Sequence, residues 1–228
     1  MKKNKIDKIF VACDNTSNSK IRNIIDKTQN SKIQIGYKFG LEFLNSKNGR
    51  NFVSKLKNKI IFADLKIHDI PNTCVSTIKA LKDLNIDYLT IHISSGLEAL
   101  KAAKKNSGKI KLVGVTILTS LDNKSLKKIG FNKDIKEIVL QQAKLASEAK
   151  LDAIVCSPKE AQIVKKVFKK EIITPGIRLN SKINNDQKRI MTPKQAYKNG
   201  SDWLVIGRPI TKGNIKKNIK TLIDHLNV

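Results

Sequence analysis

Residues 8–17 read KIFVACDNTS. Ile9 to Cys13 form an unbroken apolar run, the pattern of a strand covered on both faces. The run stops at Asp14, and Asn15, Thr16 and Ser17 follow. An open doubly wound sheet that binds a dinucleotide would place a glycine-rich turn here, and these positions hold no glycine. Beyond them, Ser17 to Gln29 carries Ile21, Ile24 and Ile25 at helical spacing. The opening unit is therefore strand, polar turn, amphipathic helix.

The unit repeats along the chain. Further apolar runs stand at 33–40 (IQIGYKFG), 60–66 (IIFADLK), 88–94 (YLTIHIS), 112–118 (LVGVTIL), 153–157 (AIVCS), 171–177 (EIITPGI) and 203–208 (WLVIGR). Helical patterns lie between them, over Thr73–Leu84, Ile135–Lys150 and Asn214–Leu226. Pro158 and Pro193 are expected to open helices in the first turn, Pro193 behind a capping Thr192. With the run at 8–14, eight strands alternate with about eight helices in 228 residues. That is the count for an α/β fold of the (β/α)₈ (TIM) barrel type, as a single domain over residues 1–228. The stretches 45–51 and 180–189 are polar and read as the least regular.

Composition narrows the class. Aromatics are 5% of the chain, so the core is expected to be aliphatic. No run approaches the ~20 apolar residues of a membrane span, and the N-terminal MKKNKIDKIFVACD reads as a first strand, not a signal peptide. Cys13, Cys74 and Cys156 are unpaired in spacing, which argues against disulfides and zinc and for a cytoplasmic location. The net charge is +26, yet only five of the 45 basic residues are arginine: Arg22, Arg50, Arg178, Arg189 and Arg208. The lysines are scattered among asparagines with no interleaved aromatics, so they read as solvated faces, and nucleic acid is not expected as a partner.

Active sites of such barrels form at the C-terminal ends of the strands. Those ends carry Asp14, Lys38, Asp64 with Lys66 and then Asp69, His92, Thr119 with Ser120, Ser157, Gly176 with Arg178, and Gly207 with Arg208. In Asp64-Leu65-Lys66-Ile67-His68-Asp69 the first and third residues share a face of a strand, while Asp69 falls in the loop. Opposite charges nearby favour the charged form of a lysine, which can then act as a positioned acid. His68 reads as packing or loop support beyond the strand, and His92 reads as a hydrogen-bonded barrel residue. Cys13 and Cys156 read as small buried residues. Thr174–Arg178 and Gly207–Thr211 combine glycine, arginine and a following turn, the chemistry of a phosphate site. No spacing suggests a metal site.

The stretch Asp64–Thr73, DLKIHDIPNT, resembles the signature of the orotidine 5′-phosphate decarboxylase family. VTILTS (115–120), TPGIR (174–178), NDQKRIMTP (185–193) and IGRPIT (206–211) are similar to further blocks of that family, in the same order. The resemblance implies decarboxylation of orotidine 5′-monophosphate to UMP in pyrimidine biosynthesis, with no cofactor or metal. It implies that Lys66 is the proton donor within a Lys-Asp-Lys-Asp array of Lys38, Asp64, Lys66 and Asp69. Asp14 and Lys38 would hold the ribose, Thr119 the pyrimidine, and Gly207 and Arg208 the phosphate, with Arg178 supporting. Gln187 would bridge the base and the phosphate. Asp69 and Thr73 would reach the partner's site in a homodimer with shared active sites. The first strand departs from the family in reading ACDN, but Asp14 itself is present.

Two rival readings remain at this point. Sugar-phosphate decarboxylases and hexulose-phosphate synthases are similar in the D-x-K-x-x-D motif but use Mg²⁺. They usually follow the second Asp with a small residue and Gly, where Ile70-Pro71-Asn72-Thr73 stands here. A nucleic-acid-binding protein would use the +26 charge but leaves the strand-end carboxylates unexplained.

Overall fold

The computed structural model describes residues 6–15, 17–29, 32–179 and 190–226. Eight strands appear in the expected order: β1 (Lys8–Ala12), β2 (Gln34–Gly40), β3 (Ile60–Ile67), β4 (Tyr88–His92), β5 (Lys111–Val115), β6 (Ala153–Val155), β7 (Glu171–Thr174) and β8 (Trp203–Ile206). Each pairs in parallel with the next, and β8 pairs with β1, so the sheet closes into a barrel. Most strands stop before their apolar runs do. The leftover residues, such as Cys13-Asp14 and Pro175–Ile177, form the upper loops.

Period-two alternation sorts the side chains. Phe10, Phe62, Tyr88, Val113, Ala153, Ile173 and Trp203 point inward and fill one layer of the barrel. Phe10 stacks on Trp203 with ring centroids 4.1 Å apart. It can do so because β2 contributes Gly36 to this layer: a Cβ there would come within 2.6 Å of the Phe10 ring. Below, Tyr88 donates to Glu171 and accepts from Lys111, closing the N-terminal end with satisfied polar groups. The outward set, including Ile9, Val11, Cys13, Tyr37 and Phe39, packs against the surrounding helices.

Those helices are α1 (Asn18–Thr28), α2 (Leu41–Leu44), α3 (Gly49–Ser54), α4 (Pro71–Ala80), α5 (Leu97–Asn106), α6 (Asn123–Lys128), α7 (Ile135–Glu148), α8 (Ala161–Val167), α9 (Pro193–Lys198), α10 (Arg208–Thr211) and α11 (Ile215–Leu226). Eleven are thus described where about eight were expected, because short pieces such as α2 and α10 sit in the loops. In α7, Asp134 and Glu137 cap each other's backbone N–H groups at 3.0 and 3.2 Å. α9 starts at Pro193 as expected, with the Gln195 carboxamide accepting from the Thr192 N–H.

Two expectations need correction. Pro158 does not open a helix: it lies in a turn closed by Ser157 and Glu160, and α8 starts at Ala161. The Glu160 carboxylate accepts the Ser157 N–H, so a separate turn forms ahead of the helix. The polar stretch 45–51 is also more regular than expected, since α3 begins at Gly49. A Cβ at Gly49 would run into the Phe43 carbonyl, and this close approach lets Phe52 pack edge-on to Phe43 at 5.5 Å. The other irregular stretch, 180–189, lies outside the described residues. Among the described residues no helix is long and apolar enough to cross a membrane.

Candidate active site

The alternation that puts Phe10 in the packed layer carries upward to Ala12 and Asp14 on β1. On β2 it runs from Gly36 to Lys38 and Gly40. On β3 it runs from Phe62 to Asp64. These upper positions, with Val115, Ile117, Val155, Val205 and Gly207 from the other side, line a cavity of about 700 Å³ at the C-terminal mouth. The volume falls in the range of roughly 300–1,000 Å³ typical of small-molecule sites.

A continuous row of charge crosses one side of this cavity. Lys38 Nζ lies 3.1 Å from Asp14 Oδ1 and 3.4 Å from Asp64 Oδ2, and Lys66 Nζ lies 2.9 Å from the same Asp64 oxygen. The Lys38 and Asp64 side chains keep only 11% and 13% of their exposure, while Asp14 keeps 60%. Burial works against both charges. For Lys38 it is outweighed by Asp64 and Asp14, which hold the ammonium above its ordinary pKa. For Asp64 it is outweighed by Lys38 and Lys66, which hold the carboxyl below its ordinary pKa. The inner part of the row is therefore ionised at neutral pH. Gly40 leaves room beside it, with a hypothetical Cβ 3.6 Å from Lys38 Nζ.

Lys66 reaches the row by an irregular route. The β3–β4 register slips between Ala63 and Ile67, and Lys66 has a φ of 49°, a region that side-chain-bearing residues rarely adopt. Strict alternation across 64–67 thus fails, although the Asp64 and Lys66 side chains meet as expected.

The opposite side is built from the ends of β7 and β8. Gly176, with a φ of 78°, turns the chain so that the Arg178 N–H donates to the Met191 carbonyl at 3.0 Å. Arg178 is buried, and its guanidinium donates to the Ile177 carbonyl at 2.9 Å. Gly207 precedes α10, which is a single turn, so a helix dipole adds less here than the sequence pattern suggests. Arg178, Gly207, Arg208 and Thr119 all line the cavity.

Asp69 and Thr73 do not line it. Both are exposed, and Asp69 Oδ1 accepts the Ile70 N–H at 2.8 Å. Among the described residues Asp69 makes no ion pair, so Lys66 has one carboxylate neighbour in this chain, not two. Gln187 lies outside the described residues.

His68 is exposed, with Nε2 3.3 Å from the Ser94 hydroxyl, in keeping with loop support. His92 differs from expectation. Among the described residues its ring has no hydrogen-bond partner; it packs against the ring of His68 at 5.2 Å. Burial, His68 and Lys66 together lower its pKa. Burial pushes the Cys13 thiol up to about 12, which suits an inert packing group.

Sequence reading missed several residues that line the cavity or support it. Leu41 and Glu42 come from one-turn α2, and Lys212 follows α10. Cys156, which read as a small buried residue, also lines the cavity. Thr90, inside β4, touches both Asp64 and the Lys66 backbone. Only Lys212 could have been found by extending the Gly207–Thr211 block by one residue. Among the described residues no group of three or more His, Cys, Asp or Glu is placed to hold a metal ion. Lys38 Nζ lies against Asp14 Oδ1, and Lys66 Nζ against Asp64 Oδ2.

The model of the orotidine 5′-phosphate decarboxylase / HUMPS family matches residues 7–219. An orotidine 5′-phosphate decarboxylase of Prochlorococcus marinus (strain MIT 9215) is 43% identical over 223 residues, covering 92% of this chain and 90% of that protein. One from Wolbachia pipientis of Culex pipiens is 46% identical over 183 residues, 78% of this chain and 80% of that one. Among solved structures, orotidine 5′-phosphate decarboxylase from Lactobacillus acidophilus superposes with a TM-score of 0.82 at 31% identity, covering 97% of this chain and all of that one. With the barrel, the charged row and these likenesses together, the chain belongs to the orotidine 5′-phosphate decarboxylase / HUMPS family.

Proposed function

We propose that this chain, as a single barrel domain, decarboxylates orotidine 5′-monophosphate to UMP in the cytoplasm. The observation that carries the reading is the Asp14–Lys38–Asp64–Lys66 row, inside the cavity of a chain from this family. Loss of CO₂ leaves the electron pair of the broken bond on C6 of the pyrimidine. The Lys66 ammonium, fixed 2.9 Å from Asp64, stabilises that charge and then donates a proton to C6. Water returns a proton to the amine. Asp64 and Lys38 hold Lys66 in place through a fixed charge pattern that needs no reorganisation during the reaction.

Binding divides between the two sides of the cavity. Asp14 and Lys38 take the ribose hydroxyls, and Thr119 the pyrimidine. Gly207 and Arg208 take the phosphate, with Arg178 bracing their loop and Gln187 linking base to phosphate. Contacts far from C6 supply binding energy that positions the base. Asp69 and Thr73, exposed and outside this chain's own cavity, complete the site of a partner subunit in a homodimer. The scheme uses no cofactor or metal.

The test is loss of the ultraviolet absorbance of orotidine monophosphate with protein dialysed against EDTA. Metal-independent loss with UMP as product is the expected result. Folded protein that leaves the substrate intact, but turns over a sugar phosphate once Mg²⁺ is added, would overturn the reading in favour of the other branch of the family.

A further inference from the structure

Thr90 lies at the middle of β4 and is fully buried. Its side chain shares the inward face with Tyr88 and His92. Where β3 and β4 lose register, the four residue steps of β3 from Ala63 to Ile67 span the two steps of β4 from Leu89 to Ile91. Within that gap the Lys66 N–H donates to the Thr90 hydroxyl, at 2.7 Å. The same hydroxyl donates its one proton to Asp64 Oδ1, at 3.2 Å. A single side chain therefore ties the left-handed backbone of Lys66 to the carboxylate of Asp64.

The oxygen it selects matters. Both lysine ammoniums contact Asp64 Oδ2, at 2.9 and 3.4 Å. Thr90 takes Oδ1, so the rotation of the carboxylate is fixed from behind while its other oxygen faces the two cations. A backbone at a φ of 49° persists only where its surroundings over-determine it. Here the determinant is the hydrogen bond to a hydroxyl that is itself held by burial and by β-branched stiffness.

We infer that Thr90 is a positioning residue for the decarboxylation, setting the Lys66 ammonium and the Asp64 carboxylate in register without touching the substrate. This rests on the reaction assigned above. A hydroxyl at this position does two jobs at once, accepting from Lys66 and donating to Asp64. Valine has the same shape and does neither.

The test compares Thr90→Val, Thr90→Ala and Thr90→Ser in steady-state decarboxylation, with UMP binding as the check that each variant is folded. Thr90→Val and Thr90→Ala are expected to lose about tenfold to a hundredfold in kcat, the scale of a misplacement on the order of an ångström, with KM and UMP affinity little changed. Thr90→Ser keeps the hydroxyl and should stay within about threefold of wild type on that same scale. A merely structural role would instead lower the yield of folded protein and leave kcat per folded site intact. Wild-type-like kcat in either hydroxyl-free variant overturns the role, and so does Thr90→Ser as slow as Thr90→Val, even if the other two variants fail to fold. Wild-type protein with no turnover overturns the reaction itself, and the Thr90 role with it. Active wild type beside an unaffected Thr90→Val overturns the Thr90 role alone.

Discussion

Replacing Asp64 by Asn keeps the shape of the side chain and removes its charge. In the native cavity that charge sits 2.9 Å from the Lys66 ammonium and 3.4 Å from that of Lys38. At an effective dielectric of about 20 these separations correspond to roughly 6 and 5 kcal/mol of gross attraction. Most of it is offset by the desolvation of the three groups. Lys66 keeps a third of its exposure and can turn toward water, so its loss is small. Lys38 cannot: its side chain is 11% exposed, and its remaining partner, Asp14, is itself 60% exposed. Stripping one partner from a buried pair costs about 3–5 kcal/mol, and Asp14 returns about 1 kcal/mol of it at most. The expected net loss is about 2–4 kcal/mol. In a chain of this size each kcal/mol moves Tm by roughly 2–4 °C, so about 3 kcal/mol lowers it by roughly 6–12 °C.

The assay is thermal and urea unfolding of ligand-free protein at fixed concentration, for wild type, Asp64→Asn, Lys38→Met and the double variant. The buried ammonium causes the loss, so Lys38→Met should rescue Asp64→Asn, with a coupling of at least ~1 kcal/mol. The pH dependence has a definite sign. The two lysines hold the folded Asp64 carboxyl below its ordinary value, against the burial that would raise it. Its contribution is therefore fully present above the unfolded pKa of about 3.9 and lost as pH falls through the folded value. The gap between wild type and Asp64→Asn should be flat from neutral pH down to about 5 and close below about 4. Additive single effects, or a gap that widens with acid, would refute the account of the row as one coupled electrostatic unit.

Three further outcomes follow from the proposed mechanism. Lys66→Ala should reduce kcat by at least about 10³-fold, since it removes both the stabilising charge and the proton; UMP affinity, measured by calorimetry, should change little. Mixing Lys66→Ala with Asp69→Ala protein, each inactive alone, should restore up to about a quarter of wild-type activity, because half the exchanged dimers are mixed and each has one intact site. Arg208→Ala should lower kcat/KM for orotidine monophosphate by roughly tenfold to a hundredfold, the worth of a hydrogen bond to a charged group, and leave turnover of phosphate-free orotidine unchanged.

The barrel was legible because strands buried on both faces leave continuous apolar runs, and eight of them survive any reasonable choice of boundaries. Asp14, Lys38 and Asp64 were legible for the same reason. Each follows inward-facing residues at a spacing of two, so the rule that packs Phe10 and Phe62 also places the charges at the mouth. Lys66 was placed correctly by a rule that does not hold there. The slip between β3 and β4 and the left-handed backbone leave no mark on Leu65-Lys66-Ile67. Thr90 was illegible because a threonine in an apolar strand looks like any β-branched strand former. Its role depends on which carboxylate the neighbouring strand brings beside it. Pro158 misled because a proline suited to a first turn is equally suited to the turn ahead of it, and the Glu160 carboxylate decides between them.

The two sides of the cavity differ in charge balance, and this bears on how an anionic substrate orients. Along β1 to β3, Asp14 and Asp64 match Lys38 and Lys66 one for one. That side offers a patterned but neutral surface. Among the described residues, the loops after β7 and β8 bring Arg178, Arg208 and Lys212 to the same cavity, against the carboxylate of Glu42 from α2. A substrate with a phosphate at one end and a carboxylate at the other would be captured phosphate-first by the cationic side. The neutral row is then left to discriminate by position and not by net attraction. At such a surface the ground-state carboxylate gains little overall, while in the proposed mechanism the charge that appears at C6 falls against Lys66. That division keeps binding energy remote from the reacting carbon and confines the stabilising charge to the place where new charge forms, as differential stabilisation of a transition state requires.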